Sequence, residues 1–147
     1  MQPSLIREAI ATAARAVVLP AGINKLTTSG YVPDSVLAPH FFVGEYEQVY
    51  DRAMARGLDE LTFTCRLLVS RTDDRSAQKV LDDMLAGSGP ASLKAAIEVA
   101  RGAPGDYALG GLAHDLHVMR VQGYRWYEHA GSTYVGAELM IKVIGEG

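Results

Sequence analysis

From Leu61 to Ser70 the chain changes character at nearly every step. Leu61, Phe63, Cys65, Leu67 and Val69 fall on one side, Thr62, Thr64, Arg66 and Ser70 on the other. A period of two sends successive side chains to opposite faces of a strand. One face of this strand is therefore expected to be buried, and the other to be wet or covered by a partner. Such a segment has to sit in a sheet with something apolar packed on one side, and the rest of the chain is read for that cover.

Helical periodicity supplies it. Residues 4–18 read as an amphipathic helix with Leu5, Ala9, Ile10, Ala13 and Val17 inward, Ser4 as N-cap, and Pro20 with Gly22 closing the segment. A second helix is expected from a cap at Asp73 or Asp74 as far as Ala86, burying Ala77, Val80, Leu81, Met84 and Leu85, with Gly87 at the C′ position. Pro90 stands near the start of a short third helix that carries Leu93, Ala96, Ile97 and Ala100 and ends at Gly102.

The remaining segments are β. Residues 24–28 are expected to form a short strand, Pro33 marks a turn, and residues 41–50 form a strand interrupted by Gly44. Residues 51–60 are charged and contain Gly57, which suggests the tip of a long protruding hairpin. In the C-terminal third, Leu116, Val118 and Arg120 alternate with His117, Met119 and Val121, and Gly123 suggests a bulge. The turn His129-Ala130-Gly131-Ser132 then leads into a last strand burying Val135, Ala137, Leu139, Ile141 and Val143. The expected fold is α+β, an antiparallel or mixed sheet with three helices packed on it. At 147 residues the chain suits a single domain, able to bury roughly 68–70% of its unfolded surface without metal or disulfide.

Chemistry is harder to find. Net charge is −3, which offers no basic field for neutralising phosphates, so no specific nucleic-acid partner is expected. No apolar run approaches the ~20 residues that cross a bilayer, and the amino terminus lacks the basic and apolar regions of a secretory signal. A soluble, intracellular or virion-borne protein is expected. Cys65 is the single cysteine and reads as a small core hydrophobe. Asp115 and His117 would share a strand face beside His114 and suggest a metal, but no further ligands are recognisable. Gly105, Gly110 and Gly111 follow a helix and precede a strand, the wrong order for a phosphate loop. No catalytic residue, cofactor or metal ligand is assigned, and an enzyme is not expected. The aromatic group Tyr124, Trp126, Tyr127 and Tyr134 is read as core or subunit contact, because Tyr and Trp concentrate at contact hot spots.

Several segments carry a resemblance. They are Tyr31-Val32-Pro33-Asp34-Ser35-Val36, Phe41-Phe42-Val43-Gly44, Arg56-Gly57-Leu58-Asp59-Glu60-Leu61-Thr62-Phe63, Val69-Ser70-Arg71-Thr72-Asp73-Asp74-Arg75-Ser76-Ala77-Gln78, Leu85-Ala86-Gly87-Ser88-Gly89 and Tyr134-Val135-Gly136-Ala137-Glu138-Leu139. In that order and over most of the chain, the sequence resembles the tail terminator proteins of long-tailed, siphovirus-type actinobacteriophages. The resemblance implies a hexameric ring that caps the finished tail tube, stops its polymerisation and joins it to the head connector. It implies as partners other copies of the chain, the major tail tube protein and a head–tail connector or stopper protein. It implies a place in the virion neck, after assembly in the host cytoplasm. The interface candidates are Arg52, Arg56, Asp59 and Glu60 at the hairpin, with both arginines expected to pair with carboxylates on a neighbour or the tube, and Tyr124, Trp126 and Tyr127 near the C-terminal turn. The alternatives are another neck protein, such as a head–tail stopper, or a small metal- or ligand-binding enzyme domain built around residues 114–117.

Overall fold

The computed structural model describes residues 1–51, 57–70 and 75–146. The fold is α+β: a five-stranded mixed sheet carries three helices. Helix α1 (Pro3–Ala14) leads to β1 (Thr27–Ser29), β2 (His40–Val49) and β3 (Leu58–Ser70). Helices α2 (Arg75–Leu85) and α3 (Leu93–Glu98) follow, and then β4 (Asp115–His129) and β5 (Ser132–Glu146). The strand order is β1-β2-β3-β5-β4, with β1 parallel to β2 and every other pairing antiparallel. No helix among the described residues is long and apolar enough to cross a membrane.

The alternating strand behaves as its period demands. Leu61, Phe63, Cys65, Leu67 and Val69 are all buried, and they meet Val135, Ala137, Leu139, Ile141 and Val143 of β5 in one core. Ala77, Val80, Leu81 and Met84 of α2 and Leu93 and Ile97 of α3 close over them. Burial pushes the Cys65 thiol far above its ordinary range, so it packs as an inert hydrophobe. Ser92 links the two helices: its hydroxyl donates to the Ala86 carbonyl and accepts from the Ala95 N–H, capping α3. The expected caps at Asp73 and Asp74 lie outside the described residues. Gly87 does not take the left-handed conformation expected of it, and Gly89 does, at φ +105.

Helix α1 differs from its expected form in phase and length. Pro3 occupies the first turn, Ser4 is inside the helix and not its cap, and the helix ends at Ala14 instead of residue 18. Ile6, Ile10, Ala11 and Ala14 are buried, whereas Leu5 is exposed. Arg7 turns toward the sheet. A bulge between Val43 and Tyr46 breaks the β2–β3 ladder. There the Arg7 guanidinium donates to the carbonyls of Val43, at 3.0 Å, and Gly44, and lies 5.9 Å from the Tyr46 ring centre. Charged donors to partly buried carbonyls contribute about 1.5–3 kcal/mol. Arg7→Met, which keeps the stem and loses the donors, is expected to lower the unfolding free energy by about that amount in urea titrations.

The second face of the sheet is not bare. Residues 30–39 contain no helix or strand and lie across it as a strap. Val36 and Ala38 of the strap pack on Phe42, Leu68, Tyr127 and Tyr134, a small separate cluster. Its anchors are polar. Ser29 Oγ donates to the Tyr31 carbonyl at 2.8 Å, Thr27 Oγ1 lies 2.9 Å from the Leu37 carbonyl oxygen, and His129 Nε2 donates to the Pro33 carbonyl at 2.7 Å. Phe42 lies between the two histidines, with ring centres 6.0 Å from His40 and 5.7 Å from His129.

His40 is buried, and desolvation, followed by the nearby His129, holds its pKa below the ordinary 6.5. The unfolded chain therefore takes up a proton before the folded one does. Stability should fall as pH drops from about 6.5 toward the depressed folded value. Urea midpoints measured from pH 7.5 to 5 are expected to decline, and His40→Gln should flatten that decline.

Candidate assembly interface

The sheet has two edges of unequal character. On one side β1 offers three residues, and its Thr27 and Ser29 side chains are already committed to the strap and His40. On the other side stands β4, fifteen residues long, with β5 as its one strand neighbour among the described residues. An edge of this length presents a row of main-chain N–H and C=O groups to any incoming strand.

The β4–β5 hairpin turns through Ala130 and Gly131, both with positive φ, the sign that a two-residue I′ turn requires. Gly123, expected to mark a bulge, does so: the register shifts between Gln122 and Arg125, and Gly123 has φ +63. A second bulge, between Val118 and Arg120, was not legible. It inserts an extra residue and reverses the alternation beyond it. Val121, expected opposite to Val118, therefore stands across from buried Leu139, on the same face as the pair Val118–Ile141.

The strand loses its cover along its length. Leu116 and Val118 are buried, but burial stops there until Tyr127. Met119 (40% exposed), Val121 (41%), Tyr124 (46%) and Trp126 (42%) follow within eight residues. Isolated exposed apolar residues are common on protein surfaces, but a run of four on an open edge strand is the signature of a contact surface. Trp and Tyr are also the residue types that most often dominate contact energies. Met119 and Val121 were missed from sequence because the bulge that reorients them has no glycine or proline to mark it.

Of the seven interface candidates, Tyr124 and Trp126 are accessible on this edge. Tyr127 is not: it is buried in the strap cluster and its hydroxyl donates to the Gly123 carbonyl. The guanidinium carbons of Arg66 and Arg125 lie 4.4 and 4.7 Å from its ring centre. Asp59 and Glu60 belong to the paired strand β3 and not to a loop tip. Asp59 is buried and closes the β2–β3 hairpin, accepting from the Asp51 N–H at 3.0 Å and Gln48 Nε2 at 3.3 Å. Glu60 lies 3.1 Å from Lys142 on β5. Because Leu58 to Glu60 pair with β5, the hairpin is part of the sheet up to that point, and the connecting loop is shorter than expected. Arg52 and Arg56 lie outside the described residues.

The region of the alternative reading is organised around one ion pair. Asp115 takes both donors of Arg101, at 2.7 and 3.1 Å, which holds its carboxyl below the usual range. His117 lies 3.7 Å from Glu98, and His114 lies 3.8 Å from Glu146 and stacks on Tyr107. Among the described residues no three His, Cys, Asp or Glu side chains converge as a metal site. A hollow of about 560 Å³ adjoins this region, lined chiefly by the loop from Gly102 to Tyr107.

Comparison with protein-family models, with curated proteins and with solved structures finds no match to this chain.

Proposed function

We propose that the chain is the subunit of a homo-oligomeric ring that caps a phage tail tube, acting by docking and not by bond-making. The open β4 edge with its apolar row Met119, Val121, Tyr124 and Trp126 is the observation that carries this reading. A subunit meant to live alone blunts or covers such an edge. A ring subunit supplies the cover from its neighbour, through a heterologous contact that closes on itself. The sequence resemblance to tail terminators supports the further details: six copies, the tail tube protein beneath, the head connector above, assembly in the host cytoplasm and residence in the virion neck.

The mechanism in this reading is geometric. One ring face reproduces the docking surface of the tube end, and the opposite face offers no site for another tube subunit, so growth stops where the ring binds. The two bulges in β4 restrict strand pairing to short stretches, and the apolar row then contributes the larger part of the contact.

The test is sedimentation and electron microscopy of the purified chain, alone and with polymerising tail tube protein. Rings, free or seated on tube ends, with tubes that cease to lengthen, are the expected result. A chain that stays monomeric at high concentration and leaves tube growth unchanged would overturn the proposal.

A further inference from the structure

The strap over the second sheet face has an anchor whose hydrogens can be counted. Five contacts meet around His40, the longest of them 3.3 Å from Thr27 Oγ1 to the Pro39 carbonyl, which already accepts the Thr27 N–H. Thr27 Oγ1 lies 2.6 Å from Nδ1 and 2.9 Å from the Leu37 carbonyl. Ser29 Oγ lies 3.1 Å from Nε2 and 2.8 Å from the Tyr31 carbonyl. Carbonyls only accept, and each hydroxyl has one hydrogen to give. If both hydroxyls donate to the strap, both ring nitrogens must donate to the hydroxyls, and the imidazole must carry two protons. A neutral ring brings the supply to three hydrogens for the four shorter contacts. One hydroxyl must then donate to the ring and release its carbonyl.

The geometry indicates which contact yields. The Thr27–Nδ1 contact is the shorter of the two ring contacts, and Leu37 is 70% exposed, so water can take the place of Thr27 at its carbonyl. Ser29, in contrast, is buried. The neutral ring therefore keeps its proton on Nε2, facing Ser29, and accepts from Thr27 at Nδ1.

We propose that His40 is a proton-operated latch on the strap: the neutral ring leaves the Leu37 carbonyl to water, and a proton added at Nδ1 turns the Thr27 hydroxyl around to grip it. Few other charges bear on the latch. His129, across the Phe42 ring, is the titratable group that acts on His40 among the described residues, and it disfavours a second positive charge. Strand β1 contributes hydroxyls, and β3 contributes Leu68 opposite His40. The next residue pair, Phe42 with Arg66, brings a cation already bound to Glu138 at 3.0 Å. Closing the latch fixes the end of a segment that displays Tyr31, Val32 and Leu37 to solvent, so acidity sets how firmly that apolar surface is held.

Nuclear magnetic resonance of the intact chain tests this without any partner. At pH 8 the His40 ring nitrogens should report the Nε2–H tautomer. Between pH 8 and 5 the Leu37 carbonyl carbon should shift toward its hydrogen-bonded value along the same titration curve as His40. Thr27→Val should leave the His40 titration in place and abolish the Leu37 response. His40→Gln should abolish the response outright. A Leu37 carbonyl that ignores the His40 titration, an Nδ1–H tautomer at pH 8, or a response that survives Thr27→Val would each overturn the proposal.

Discussion

A chain carrying Trp126→Glu is expected to sediment as a monomer at concentrations where the parent chain forms the proposed ring, and Val121→Lys should do the same. Both residues are a little over two-fifths exposed and stand on the uncovered stretch of β4, opposite Val135 and Leu139. Because the single subunit leaves them half in water, a charge there should cost the folded monomer little, within about 0.5–1 kcal/mol. An assembled contact would have to desolvate that charge without a partner. Hot-spot truncations typically cost at least ~2 kcal/mol, and each 1.4 kcal/mol is about tenfold in affinity, so weakening of about 30-fold or more is expected per substitution. Val99→Lys is the matched control. Val99 is more exposed still, at 79%, but stands in the turn after α3, which meets β4 at its first residue through Arg101 and Asp115, and is not part of the row from Met119 to Trp126. Circular dichroism should show all three variants folded. Assembly that survives both edge substitutions would move the subunit contact to another surface.

The sequence was readable where one period ran unbroken and apolar residues alone occupied the inward positions. The inward faces of β3, β5 and α2 are found as expected, because five alternating positions or four helical ones leave no second phase to choose. Helix α1 was misphased because alanines fill it: Ala9, Ala11, Ala13 and Ala14 separate no face from any other, and the isoleucines at 6 and 10 decide the outcome. Strand β4 was misphased after Val118 because one unmarked bulge reverses the side chains from there to the second bulge at Gly123. The interface candidates were affected in the same way. Asp59 and Glu60 looked like loop residues until the strand proved to begin at Leu58, and Tyr127 looked like its neighbour Trp126 until the strap covered it. The strap itself depends on contacts between residues far apart in sequence, such as His129 with Pro33, and no local pattern announces those.

The largest effects on stability should come from the centre of the sheet, by two opposite mechanisms. Phe63 is fully buried on β3, opposite Ile141, with its ring 5.5 Å from that of Tyr46. Phe63→Ala removes a ring from a place where strands on both sides and helices above cannot collapse inward, and such deletions cost about 3–5 kcal/mol. Set against total stabilities of about 5–15 kcal/mol, that is a large share, and the thermal midpoint should fall by roughly 10 °C or more. Gly136 fails in the other direction. A methyl group there would lie 2.1 Å from the Leu67 carbonyl oxygen and 3.2 Å from Leu68 Cδ2, so β3 and β5 would have to separate to admit it. Gly145 gives the contrast on the same strand. Its added methyl would first meet the side chain of Met1, at 2.7 Å, which can swing aside. Gly136→Ala should therefore destabilise by several times the effect of Gly145→Ala when both are unfolded in urea. Equal midpoints for the two would mean that β3 and β5 do not approach as closely as the packing of this sheet requires.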